Sequence, residues 1–286
     1  MDSHLKHFGL QERPFEIVTD PRFYYASREH REALARLTYL VDQQSMYFGM
    51  LTGEIGSGKS LTRKVFSSQI DWQRHYVVEF ENSGFSFAEL MVHLLVKSGQ
   101  QRRDLEAAGG LARLFEAVTI LVTELHRVQR RQLVLIFDEA QDLTEENLLH
   151  LKRLSNLNGE IEGRITMILI GQPELRGQTA NVPPLDQRIS LRFHLPNLAR
   201  DEVESYLRHR LRVAGHATSD IFTPDAAALL YQASRGVPRD INRIAKLSLE
   251  SAASSGFSHV DYSQVNSVVE DLRRHQSLPA VLANRP

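Results

Sequence analysis

Apolar residues fall along this chain in two kinds of run. Short continuous ones, MYFGMLTG at 46–53, HYVVEF at 75–80, LVLIFDEA at 133–140, RITMILIGQ at 164–172 and ISLRFHL at 189–195, read as buried strands. Most are separated by stretches with helical spacing. SREHREALARLTYLVDQQ places Ala33, Leu34, Leu37, Leu40 and Val41 on one face, with Ser27 as its N-cap. A helix is expected from about Lys59, and FAELMVHLLVKSG, LARLFEAVTILVTELHRVQ and ENLLHLKRLSNL share the same period. Strands without in/out alternation, joined through helices, predict an α/β fold with a parallel sheet covered on both faces.

From about Asn197 the pattern changes. DEVESYLRHRLRVAG, PDAAALLYQASRG, DINRIAKLSLESAASSG and DYSQVNSVVEDLRRH are four helical segments punctuated by Gly, Pro and Asn/Asp. A small all-helical domain is therefore expected after a boundary near Pro196. SLPAVLANRP ends the sequence as a loose tail.

Composition narrows the class. The 286 residues are 42% hydrophobic, enough for a substantial core, and contain no cysteine for disulfides or thiolate metal sites. A formal net charge of −1 provides no whole-protein field toward nucleic acid or anionic membrane. MDSHLKHFGLQERPF lacks the apolar core of a signal peptide, and no run approaches the roughly 20 apolar residues of a span, so a soluble, cytoplasmic protein is expected. None of the 12 histidines has metal-ligand spacing such as H-E-x-x-H, and no metal other than Mg²⁺ is expected.

The chemistry starts at GEIGSGKS, residues 53–60. Gly53, Gly58, Lys59 and Ser60 fit G-x-x-x-x-G-K-[ST], a phosphate-binding P-loop between a strand and a helix. In such a loop the backbone N–H groups of Gly53, Glu54, Ile55, Gly56, Ser57, Gly58, Lys59, Ser60 and Leu61 turn toward phosphate oxygens. Lys59 reaches the β/γ-phosphates, Ser60 ligates Mg²⁺, and the helix offers its positive end. A glycine-rich turn without ligand is the competing reading. A P-loop fold also needs an acid at the end of a neighbouring strand, and Asp138 is the first charge after the apolar run LVLIF. Glu139 beside it can polarise a water for attack on the γ-phosphate; the alternative is a helix N-cap pair. Tyr24, Tyr25 and Trp72 could stack on a base or simply fill the core.

Asp-Glu in this position resembles the AAA+ ATPases. That resemblance implies that Gln172, beyond the next strand, senses the γ-phosphate, that Arg188 is an arginine finger donated into a neighbouring subunit, and that Arg239 of GVPR is a lid sensor. Gln172 as a turn residue, Arg192 as the true finger, and Arg239 as a helix-start decoration stay open. F8-G-L…R-P-F15, D20-P-R-F-Y-Y25 and S27-x-x-H30, followed by TGEIGSGKS, FDEAQ, IGQPEL, QRI and G-x-P-R, resemble the ExeA/GspA secretion ATPase family over roughly residues 5–270. The short MshM-like members of type IV pilus biogenesis are nearest in length. The family carries Thr where this chain has Ser60, an ordinary equivalent.

The resemblance implies four parts: an N-terminal segment and helix at 1–45, with Asp20 to His30 near the adenine; a P-loop α/β domain at 46–196; a helical lid at 197–275; and the tail at 276–286. It further implies ATP and Mg²⁺ as cofactors and a homo-oligomer, ring or filament, because the finger acts in trans. Long members continue into a membrane span and a peptidoglycan-binding domain that lie beyond the end of this sequence. The expectation is thus a peripheral role at the inner membrane through a membrane-bound secretion or pilus partner.

The module also resembles TniB- and MuB-type transposition ATPases, which load on DNA. That alternative calls for a basic stripe, with candidates at Arg102-Arg103, Arg127 with Arg130-Arg131, Arg208-His209-Arg210-Arg212 and Arg273-Arg274. Interleaved acids, as in DEVESYLRHR, instead read as solvated helix faces. A third reading is a nucleotide switch that barely hydrolyses, against which Glu139 argues.

Overall fold

The computed structural model describes residues 3–275 apart from 44, 109, 161–162 and 219, so the expected tail at 276–286 lies outside the described residues. Two compact units form: residues 31–53 with 62–195, and the described residues of 1–30, 54–61 and 196–286.

The first unit is built on five strands, β1 (Phe48–Gly53), β2 (His75–Phe80), β3 (Gln132–Phe137), β4 (Ile165–Gly171) and β5 (Ile189–Leu195), in the order β2-β3-β4-β1-β5. Every pairing is parallel. Helix α2 (Arg28–Asp42) leads into β1; α3 (Lys59–Gln69), α4 (Phe87–Lys97), α5 (Arg102–Ala108), α6 (Leu111–Arg127) and α7 (Glu145–Glu160) connect the strands, with two short helices, α8 (Leu175–Ala180) and α9 (Pro183–Asp186), before β5. Successive residues of one strand serve different cores. Leu133, Leu135 and Phe137 join Leu94, Val118 and Leu151, while Val134 and Ile136 join Leu37, Leu40 and Phe66. Two buried faces favour apolar residues throughout, which is why β3 and β4 read as near-continuous apolar runs, interrupted in β4 by the buried Thr166. The first charge after β3 is Asp138, and Gln172 follows β4.

One expectation is corrected by this order. Asp138 does not end the strand next to β1, because β4 lies between β3 and β1. Crossover connections set strand order, and apolar runs carry no information about it.

The second unit contains α1 (Ser3–His7), α10 (Arg200–Val213), α11 (Pro224–Ser234), α12 (Pro238–Ser254) and α13 (Tyr262–Arg274). The helix starts were written locally: Thr223 caps α11 through the Ala226 N–H, Pro224 and Pro238 occupy first-turn positions, and Asp261 forms a capping box with Gln264. Leu5, Phe8, Leu10 and Phe15 pack into the same core as Leu207, Leu230, Ile244 and Val269. Arg210 fastens this N-terminal stretch. Buried on α10, it donates to the carbonyls of Pro14 and Glu16, and its guanidinium lies 4.5 Å from the Phe23 ring centroid.

Candidate nucleotide site

The phosphate loop leaves β1 at Gly53 and enters α3 at Lys59. Gly56 and Gly58 take left-handed φ values of 84° and 101°. A Cβ on Gly56 would stand 2.7 Å from Arg239 Cβ, and one on Gly58 would stand 2.8 Å from His30 Nε2. Both positions therefore need glycine for conformation and for room. The Lys59 ammonium is drawn back over the loop, with Nζ donating to the Glu54 carbonyl at 2.9 Å. The Ser57 hydroxyl is buried and lacks a hydrogen-bond partner among the described residues. Ser60 and Leu61 sit in the first turn of α3, which contains no acid to neutralise its positive end. Glu54 and Ile55 are exposed.

Arg239 stands in the first turn of α12, and its backbone N–H donates to the Gly56 carbonyl at 3.3 Å. The G-x-P-R turn is thus joined to the phosphate loop through main chain. His30 supplies a second tie. Its Nδ1 lies 2.7 Å from Ser27 Oγ, its backbone N–H donates to the same hydroxyl at 3.3 Å, and the Tyr24 hydroxyl donates to its carbonyl. Burial pushes the His30 pKa down to about 4, against a partial rise from its bond to the Ser57 backbone and from the charge of Glu202. The imidazole is therefore neutral, with Nδ1 facing the Ser27 hydroxyl and Nε2 facing the loop at Gly58.

The acid group lies at the carboxyl ends of β3 and β4. Asp138 is buried, and burial raises its pKa while the Arg63 charge and hydrogen bond oppose the rise. Arg63, buried on α3, donates from Nε to Asp138 Oδ2 at 3.0 Å, pairs with Glu79, and reaches Glu81 at 3.6 Å. Glu139 adopts left-handed backbone, φ 49° and ψ 43°, an uncommon and costly state for a non-glycine residue. Its N–H donates to Asp138 Oδ1, and its carboxylate accepts from Gln141 Nε2 at 2.7 Å. The Gln172 N–H donates to Gln141 Oε1 at 3.0 Å. Asp138, Glu139 and Gln172 are thus brought together.

The arginines beyond this group have local partners. Arg188 donates to Ser155 Oγ at 2.7 Å, and Arg192 makes the ion pair with Asp186 at 2.6 Å. Of the proposed basic stripes, the one on α10 is broken. Arg210 is spent on the N-terminal stretch, and Arg208 pairs with Glu204 and Asp220. Arg131 lies over the Tyr76 ring and donates to the His75 carbonyl. Tyr25 packs edge-on to Tyr206, Tyr24 packs against His30, and Trp72 is half exposed.

A curled glycine loop, a buried lysine, an orphaned hydroxyl and an open helix N-terminus fit a polyphosphate. A serine hydroxyl and an aspartate carboxylate are the hard oxygen ligands that Mg²⁺ takes. Residues 42–178 match the AAA domain family. The chain carries an AAA domain. General secretion pathway protein A of Aeromonas hydrophila is 34% identical over 266 residues, which cover 92% of this chain and 47% of that protein. This chain therefore spans about half the length of that relative. An uncharacterised HTH-type transcriptional regulator of Methanocaldococcus jannaschii is 23% identical over 302 residues, 94% of this chain and 73% of the regulator. Among solved structures, the ORC2 protein of Aeropyrum pernix in ADPNP–ADP complexes aligns with a TM-score of 0.69 at 20% identity, over 91% of this chain and 71% of that one. At that identity the likeness shows the fold alone, and the fold is that of the AAA+ P-loop proteins. Among the described residues of the AAA domain and its helical companion, no helix is long and apolar enough to cross a membrane.

The sequence reading assigned no part in this site to Arg63 or Gln141, and named His30 only as the end of the segment expected near the adenine. Arg63 follows TGEIGSGKS by three residues, Gln141 ends FDEAQ, and His30 closes S-x-x-H. None has a fixed role in the nucleotide-binding consensus, so only their partners reveal what they do.

Proposed function

We propose that this protein is a Mg²⁺-dependent ATPase that oligomerises with ATP and energises or regulates assembly of a secretion or type IV pilus-like machine. The observation that carries the reading is the loop at 53–60, with its buried Lys59, unpartnered Ser57 hydroxyl and main-chain tie to Arg239. Bound ATP–Mg²⁺ would supply the electrophilic γ-phosphoryl group and the charge that stabilises the leaving ADP. The chain's part is to hold it. Loop amides from Gly53 to Leu61 and Lys59 would bind phosphate oxygens, while Ser60 and Asp138 would hold Mg²⁺. Glu139 accepts the proton of the attacking water, Gln172 and Arg239 sense the γ-phosphate, and Arg188 of one subunit completes its neighbour's site. The similarity to general secretion pathway protein A supports the secretion context, and the proposal places the protein at the inner membrane through a membrane-bound partner.

A second reading, an ATP-dependent DNA-binding regulator of the transposition type, draws on the similarity to an HTH-type transcriptional regulator. The burial of Arg210 and pairing of Arg208 weigh against it. Two measurements test both. ATP turnover and particle mass by light scattering are followed with and without Mg²⁺ and ATP. Binding to duplex DNA is followed across salt. Turnover with nucleotide-dependent growth in mass supports the first reading, and a steep salt slope on DNA moves the assignment to the second. Absence of turnover in every condition removes the first, and absence of DNA binding at every salt concentration removes the second.

A further inference from the structure

Gln141 occupies a short 3₁₀ turn, Ala140–Asp142, immediately after the Glu139 backbone turns left-handed. Its side-chain amide is used at both ends. Nε2 donates to Glu139 Oε2 at 2.7 Å, and Oε1 accepts from the Gln172 N–H at 3.0 Å. The turn is held from a third side, because Gln178 Nε2 donates to the Gln141 carbonyl at 2.8 Å. The end of β4 is shaped to receive the amide. A Cβ on Gly171 would stand 2.6 Å from Gln141 Oε1 and 3.3 Å from the Gln141 backbone nitrogen. Two independent features thus converge on one side chain: a hydrogen-bond bridge, and a glycine whose missing Cβ makes room for it.

We propose that Gln141 is the positioning residue for the Glu139 carboxylate, coupling it to the backbone at Gln172. This rests on Glu139 being the water-orienting base. A primary amide carries a donor and an acceptor on one rigid plane, so the Glu139 carboxylate at one end and the Gln172 N–H at the other fix its orientation. With Oε2 committed to Gln141, Oε1 is the carboxylate oxygen presented to a water. The left-handed backbone of Glu139 and the amide bond together hold that oxygen in one place. A displacement of residue 172 reaches the carboxylate through a single planar group, so β4 and the base move as one.

The test uses the full chain and three variants. Gln141→Leu removes donor and acceptor, Gln141→Asn retains both on a side chain one methylene too short, and Gly171→Ala leaves Gln141 intact but displaces it. Each is compared with wild type and with Glu139→Gln for kcat, KM and equilibrium binding of a fluorescent ATP analogue. All three variants are expected to lose about 10- to 100-fold in kcat, with KM and nucleotide binding within about twofold. Adding Gln141→Leu to Glu139→Gln should cost nothing further, since the group being positioned is already gone. An unchanged or raised kcat in the Asn and Ala variants, while Glu139→Gln is inactive, overturns the role of Gln141 and leaves the ATPase reading standing. Full turnover in Glu139→Gln overturns the base assignment itself.

Discussion

In the loop at 54–61 the lysine rests on a carbonyl and a neighbouring serine hydroxyl has no partner, whereas at the end of β3 each carboxylate is already bonded. Asp138 holds Arg63, and Glu139 holds Gln141. The contrast follows from what each region must offer a ligand. A phosphate is met by donors, and a curled backbone can leave N–H groups and a hydroxyl pointing at nothing because they carry little charge. A carboxylate carries a full charge, and leaving one buried without a partner costs far more than leaving a hydroxyl so. The acid group is therefore pre-paired by its own chain, while the Ser57 hydroxyl has no partner among the described residues.

That contrast can be broken in order of effect. The largest loss is expected from Arg188→Ala, which should lower turnover by about 10³-fold or more as a finger supplied in trans. Mixing it with Lys59→Ala should restore activity at hybrid interfaces, and rescue by Arg192→Ala instead would transfer the role. Glu139→Gln should lower turnover by about 10²- to 10⁴-fold while nucleotide binding persists and the oligomer is trapped. Lys59→Ala acts on the donor side and should weaken ATP binding by about 100-fold or more, since a buried charge-assisted contact is lost; calorimetric titration measures it. Binding at the wild-type level would remove the phosphate-loop assignment.

The smallest effect concerns pH. The His30 pKa falls from 6.5 to about 4 on folding, so between those values the unfolded chain binds more protons and stability rises with pH. Stability is fully present above about pH 6.5 and is lost as pH falls toward 4. At about 1.4 kcal/mol for each tenfold change in proton affinity, the loss is about 3 kcal/mol. His30→Asn should flatten that stretch of a stability–pH curve from denaturant titrations. An unchanged slope would mean that His30 is not the group responsible.

Legibility in the sequence varied by residue for physical reasons. The central strands could be read because both faces of a central parallel strand are buried, which leaves continuous apolar runs such as Leu133 to Phe137. Lys59, Ser60, Asp138 and Glu139 could be singled out because phosphate and metal chemistry demands those types at those spacings. The short helices α1, α5, α8 and α9 were not readable, being too brief to show a period. The strand order was not readable either, so Asp138 was expected one strand too close to β1.

By itself, the sequence determined where the chain would bury apolar surface, where it would stop, and which residues could meet a phosphate, since these depend on side-chain type and local spacing. Only the tertiary structure decided how charges were shared. That Arg63 would serve Asp138 and Glu79, that Arg210 would be consumed by the N-terminal stretch, that His30 would brace Gly58, and that Gln141 would bridge Glu139 to Gln172 all depend on partners distant in sequence or on backbone turns with no compositional mark. An arginine or glutamine has the same donors wherever it stands, and folding selects which acceptors come within about 3 Å of them.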